Sequence, residues 1–211
     1  MYGYLTLVLH FYQLKLIDVS FEKLTLNTDL TPLVEELFMQ NIPSECELEV
    51  KLPELKSFSM YYYDPPDDDT WIHDMLATAK KLQTFDSYKL RVGPELHFAS
   101  NDLQSIRLHR AELLDSLSVY APNLKDLNLQ GCYGLDGDLT ILDSHPNFTK
   151  PPGRGSNFHV NVTNACYSDS ISRTLESHPR VMWDGPDDSD DDYVVGNPCE
   201  SMFARMHANG F

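Results

Sequence analysis

The chain holds eight histidines, 32 aspartates plus glutamates and four cysteines. These side chains build hydrolytic, metal and thiol chemistry, so their spacing decides whether any is encoded. Aspartates crowd into two segments, Asp64 to Asp69 and Asp184 to Asp192. A calcium loop alternates its oxygen ligands and closes on a bidentate Glu. Neither segment has that pattern, and both read as solvated acidic loops. Cys132 and Cys166 each follow a strand-like run, but a thiol nucleophile needs a positioned base. None can be paired with either, which leaves small buried thiols as the expectation. Gly153-Arg154-Gly155 lies in a proline-rich loop with no following helix to face a phosphate, so it reads as a turn. The motifs GxSxG, HExxH, GxxxxGK[ST] and a strand-following GxGxxG are all missing from the sequence. The expectation is a protein that is not an enzyme, with no cofactor and no metal. A metal-assisted hydrolase using the aspartates and histidines is the rival class. Such a protein would gain thermal stability from added calcium, magnesium or zinc.

The charge balance narrows the partners. Against the 32 acids stand 16 lysines plus arginines, a formal net charge of -16. That field disfavours phosphate backbones and anionic lipid heads, so neither nucleic acid nor membrane is an expected partner. A neutral or basic protein is the easier one. The cysteines Cys46, Cys132, Cys166 and Cys199 contain no CxxC pair and read as reduced thiols rather than a zinc knuckle or disulfide framework. The apolar opening run through Ile17 lacks a basic n-region and a cleavage site, and His10, Gln13 and Lys15 interrupt it. A cytoplasmic or nuclear location is expected. Two sequons, Asn147-Phe148-Thr149 and Asn161-Val162-Thr163, count only in a secreted chain.

An internal period organises what would position any site. Leu124, Leu127 and Leu129 follow the spacing LxxLxL, and an apolar pair, Leu117 and Val119, precedes them. The same frame fits Leu96, Phe98, Leu103, Ile106 and Leu108, then Leu48, Val50, Leu55, Phe58 and Met60, and then Leu7, Leu9, Leu14, Ile17 and Val19. Residues two apart in an extended segment share a face, so each unit reads as strand, turn, strand with one buried side. No such unit hides its apolar face alone, and neighbours must stack into a solenoid. A further unit is Leu82 and Phe85, with Ser87 where an apolar residue is expected. Before it, Trp71, Ile72, Met75, Leu76, Ala79 and Leu82 stand at helical spacing, acids first and lysines last, predicting a helix on the outer face. A weaker unit, Phe21, Leu24 and Leu26, precedes the segment 31–38, where Thr31 suits a helix cap and Pro32 a first helical position.

The stretch LDSLSVYAPNLKDLNLQGC, residues 114–132, resembles the divergent repeats downstream of F-box domains, and residues 5–142 as a whole resemble a leucine-rich repeat protein. The resemblance implies an α/β fold: a curved parallel sheet with strands or helices on its convex side. It also implies, as one alternative function, a substrate-recognition fragment of a ubiquitin-ligase adaptor. After Leu142 the frame is lost. Phe158, Val160 and Val162 alternate as a strand, Ser168 to Ser177 fit a helix, and Val181 to Trp183 a further strand, together a small C-terminal cap. The expected organisation is a repeat domain over 1–145, a cap over 146–183 and an acidic disordered tail over 184–211. In that tail Met202, Phe203 and Met206 form a small apolar face that suits a docking peptide.

The open face of the repeat sheet is the remaining candidate site. Outward positions of successive units are Ser57, Ser59 and Tyr61; Thr84, Asp86 and Tyr88; Ser105, Arg107 and His109; and Asp126, Asn128 and Gln130. Tyr and Arg combine large contact area with a polar end. The predicted partner-binding set is Tyr61, Asp86, Tyr88, Arg107, His109, Asn128 and Gln130, on the concave face. The function expected is non-catalytic binding of a protein partner. A third possibility is an acidic chaperone or regulator of basic nuclear proteins, as the acidic tail suggests. Oligomeric state is not legible.

Overall fold

A computed structural model describes residues 11–63, 70–91, 93–112, 114–132, 135, 137–142, 157–163, 165 and 167–183. The chain winds as a parallel β-solenoid. Its front is an eight-stranded sheet formed by β1 (Gln13–Ile17), β3 (Glu36–Gln40), β5 (Ser57–Tyr63), β6 (Thr84–Leu90), β8 (Ser105–His109), β10 (Asp126–Asn128), β12 (Phe158–Asn161) and β13 (Val181–Met182), in that order and with every pairing parallel. Among the described residues the back carries one element between successive front strands. First come β2 (Lys23–Asn27) and β4 (Glu47–Lys51), which pair; then helix α1 (Trp71–Thr78); then β7 (Glu95–Ala99), β9 (Ser116–Tyr120) and β11 (Leu139–Ile141), a second paired set; and last helix α2 (Asp169–Ser177). Among the described residues no helix is long and apolar enough to cross a membrane.

The turn that carries α1 is longer than the ones on either side of it. The step from Ser105 to the facing Asp126 is 21 residues, whereas that from Ser57 to Thr84 is 27. A helix advances about 1.5 Å per residue and a strand about 3.3 Å, so the α1 turn needs more chain to cross the back. Turn length does not decide the element elsewhere, since β11 lies in the step from Asp126 to the facing His159 and α2 in the shorter step from Phe158 to Val181. The predicted helix is there, but it stops at Thr78. Trp71, Ile72, Met75 and Leu76 face inward from α1, and the helix packs between β4 and β7. Ala79 and Leu82 are buried too, in the turn that follows it.

The repeat frame is longer than LxxLxL. With h for an inward side chain it reads hxxhxhxxh, as in Leu55, Phe58, Met60 and Tyr63; Leu82, Phe85, Ser87 and Leu90; Leu103, Ile106, Leu108 and Ala111; and Leu124, Leu127, Leu129 and Cys132, all buried. Two consecutive residues face outward before the last inward one, which breaks the period-two alternation of a strand. The break has a backbone cause. Asp18, Asn41, Tyr62, Lys89, Arg110 and Gly131, the second outward residue of successive turns, all have positive φ, between 51 and 67°. The chain bends there from the front sheet toward the back. The inward columns fuse into one core running from Phe21 to Leu175, with Phe58 stacked 5.2 Å from Phe85 and Phe85 4.9 Å from Phe98.

Two expectations are corrected. Segment 31–38 is not a helix: Thr31 is buried, a turn follows, and Glu36–Gln40 form β3 with Leu37 and Met39 inward. Val34, Leu37, Met39 and Ile42 are another copy of the frame, hidden because only one of the four is leucine. In the first copy Leu14 and Val19 keep inward places, but Leu16, not Ile17, is the inward residue between them. Leu14 pairs with Leu37 and Leu16 with Met39, so Leu14 and Leu16 face the core and Ile17 is 46% exposed. In the last third, Phe158–Asn161 pair with β10 and Val181–Met182 with β12, so these strands extend the front sheet itself. Helix α2 is capped by Ser168, whose Oγ accepts from the Ile171 N–H at 3.4 Å, and it buries Ile171 and Leu175.

Candidate functional site

In-register parallel pairing carries outward residues of equal frame position into rows across the front sheet. One row is Ser57, Thr84, Ser105 and Asp126; the next is Ser59, Asp86, Arg107 and Asn128; the third is Tyr61, Tyr88 and His109. Adjacent members sit on neighbouring strands, about 4.8 Å apart. Residues distant in the chain are thereby gathered at a depression of about 640 Å³, lined by Tyr61, Tyr62, Asp86, Tyr88, Arg107, His109, Asp126 and Asn128. Six of the seven predicted contact residues line it. Gln130 does not; its backbone instead closes the next corner, accepting from the Arg110 N–H at 2.9 Å. Met202, Phe203 and Met206 lie outside the described residues, as do Cys166, Gly153-Arg154-Gly155 and the aspartate segments Asp64 to Asp69 and Asp184 to Asp192.

The polar groups of the depression are partly committed to one another. The Tyr61 hydroxyl donates to Asp86 Oδ2 at 3.1 Å. Burial, followed by the Asp86 charge, pushes the Tyr61 phenol above its ordinary range, so it stays a donor. Asp126 Oδ2 accepts from Arg107 Nε at 3.3 Å and from Ser105 Oγ at 3.2 Å. The aromatic side is built by edge contacts: Tyr62 and Tyr88 at 5.1 Å, Tyr61 and Phe38 at 5.4 Å. Such pairs hold ring orientations with only two side-chain torsions each to freeze, which favours a preformed contact surface.

Two cations missed in the sequence crown this aromatic edge. Lys89 Nζ lies 5.8 Å from the centre of the Tyr62 ring, and Arg110 Cζ 5.7 Å from that of Tyr88, both within cation–π range. Tyr62, Lys89 and Arg110 stand at φ 58, 51 and 54°. A left-handed backbone costs an L residue roughly 1–2 kcal/mol, which Gly avoids and Asn and Asp partly do. The chain places Gly131, Asn41 and Asp18 at the equivalent corners, and three large side chains at the corners bordering the depression. Their signal in the sequence was the inward residue immediately after each: Tyr63, Leu90 and Ala111.

Two other features carry less chemistry. On the back, Glu47, Glu49, Thr70, Trp71 and Asp74 line a smaller hollow of about 210 Å³, with Glu49 held by Lys51 at 2.8 Å. Cys132 is buried beneath the front sheet, where its thiol donates to the Leu108 carbonyl at 2.8 Å. Burial pushes its pKa up to about 12, so its neutral form dominates at physiological pH. Among the described residues no group of three or more His, Cys, Asp or Glu is placed to hold a metal ion.

Comparison of the chain with protein-family models, with characterised proteins and with solved structures finds no match. The architecture is that of a parallel β-solenoid compatible with a repeat protein.

Proposed function

We propose that this chain is a non-catalytic recognition module: a solenoid of the leucine-rich-repeat type that binds a protein partner on its eight-stranded face, taken as the concave side. One observation carries the reading. Register brings Tyr61, Asp86, Tyr88, Arg107, His109 and Asn128, spread over some 70 residues of sequence, around a single depression. Tyr and Arg are the types that most often dominate binding energy at interfaces. The overall charge of -16 favours a partner that is neutral or basic as a whole.

The experiment is an affinity pull-down from native cell extract with three forms of the chain: wild type, Tyr88→Ala with Arg107→Ala, and a truncation after Trp183. The expected result is a specific partner retained by the truncation and lost by the double variant. Retention by the double variant, with loss on truncation, would move the function to residues 184–211 and sink the front-face reading. A second reading, an acidic chaperone of basic nuclear proteins, rests on the repeats together with the acidic run Asp184 to Asp192 and the net charge. Its mark would be histone binding that weakens steeply with salt and vanishes in the truncation.

A further inference from the structure

The charge around the depression runs against that of the molecule. Lys51, Lys56 and Lys81 each hold a glutamate at 2.5–2.8 Å, and Lys23 holds Glu47. Lys89 and Arg110 hold none among the described residues; each lies over a tyrosine ring instead, and both are exposed. Of the two carboxylates at the depression, Asp126 accepts from Arg107 and Ser105, and Asp86 from Tyr61. Arg107 gives Asp126 its Nε alone, and the ends of its guanidinium fork take no protein partner among the described residues. In a chain with twice as many acids as bases, the depression and the corner beside it keep three cationic groups with donors to spare.

Position adds an independent argument. Lys89 and Arg110 occupy left-handed corners where glycine would be unstrained, as Gly131 is in the same column. Strained residues that persist beside a cleft are a recurrent mark of function. At physiological salt, charges more than about 8 Å away are largely screened, so the nearby cations outweigh the distant excess of acids for a group seated here.

We propose that Lys89, Arg110 and the outer fork of Arg107 bind a side-chain carboxylate, from Glu or Asp, of a peptide segment of the protein partner, with the neighbouring residue of that segment resting on Tyr62 and Tyr88. This rests on the reading of the front face as the binding surface and names the chemistry it selects. The partner as a whole remains neutral or basic; the group it inserts is acidic.

The test is a nuclear magnetic resonance titration of the full chain with three capped pentapeptides, Gly-X-Tyr-X-Gly, where X is Glu, Gln or Lys. The Glu peptide should shift the backbone amides of Tyr62, Tyr88, Lys89, Arg107 and Arg110, and bind about tenfold or more tighter than the Gln peptide. The decisive variant is Lys89→Gly with Arg110→Gly, which deletes both cations and relaxes the backbone, so it keeps the fold. Its preference for the Glu over the Gln peptide should fall at least severalfold, to what the Arg107 fork alone sustains. Undiminished Glu preference in that variant, or Lys-peptide binding at the same amides as tight as the Glu peptide's, would overturn the proposal. A pull-down partner lost by Tyr88→Ala with Arg107→Ala but kept by the glycine variant would leave the front-face reading standing while removing the carboxylate.

Discussion

Arg180 reaches back 59 residues to place its Nη2 2.9 Å from the carbonyl oxygen of Ala121, on the turn that leads into β10. The side chain is almost wholly buried, its Nη2 also lies 3.4 Å from the Pro122 carbonyl, and its guanidinium covers the Phe158 ring at 5.4 Å. It ties the turn before the last described strand to a turn two front strands away. Arg180→Met keeps much of the stem volume but strands buried carbonyls, and hydrogen bonds from charged donors contribute about 1.5–3 kcal/mol. We expect a loss of about 2–4 kcal/mol in urea unfolding. A change under about 0.5 kcal/mol, the range of ordinary surface substitutions, would show that the contact does not close the solenoid.

The left-handed column makes opposite predictions for opposite substitutions. Lys89→Gly should raise stability by about 0.5–1 kcal/mol because it removes backbone strain from an exposed position. Gly131→Ala should lower it by about 1–2 kcal/mol. There φ is +67° and an added Cβ would also lie 3.2 Å from Arg110 Cγ. Thermal unfolding of the two variants checks the pair. Equal signs would mean that the corner geometry is not what these residues share.

Ser87 is the polar member of an apolar column, buried between Met60 and Leu108, with its Oγ 3.4 Å from the Arg107 carbonyl. That hydrogen bond is long and weak. Ser87→Ala should therefore change stability by less than about 1 kcal/mol. Ser87→Leu should cost about 1–3 kcal/mol, because the small residue accommodates large neighbours and added methylenes have nowhere to go. Chemical denaturation of both would decide; a stabilising leucine would mean that the serine leaves a void.

Cys132 links stability to alkaline pH. Its thiol stays protonated in the folded chain up to about 12, against an ordinary value of 9.0. Between those values the unfolded chain has released a proton that the folded chain still holds, so stability falls as pH rises. The thiol's contribution is fully present below about pH 9 and lost by about pH 12. Cys132→Ala should flatten that limb of the stability profile. In native protein at neutral pH, Cys132 should resist iodoacetamide and become reactive on unfolding; rapid native labelling would show that its burial is not persistent.

The sequence by itself determined the kind of architecture and most of its outward rows. Spacing in Leu55, Phe58 and Met60, and again in Leu103, Ile106 and Leu108, is enough to predict stacked strands with one buried side, because a period of two admits only one inward set. From that the outward residues Tyr61, Asp86, Tyr88, Arg107, His109 and Asn128 follow directly. Tertiary structure alone decided three things. It set the first copy's register, since Leu14, Leu16 and Ile17 are all apolar and only pairing with Leu37 and Met39 selects the inward two. It made residues 36–40 a strand, because the neighbouring sheet edges offered hydrogen bonds that outweigh a weak local preference for helix. And it placed Lys89 and Arg110 over Tyr62 and Tyr88, a contact between turns that depends on the backbone bending left at each corner, which no spacing of side chains states.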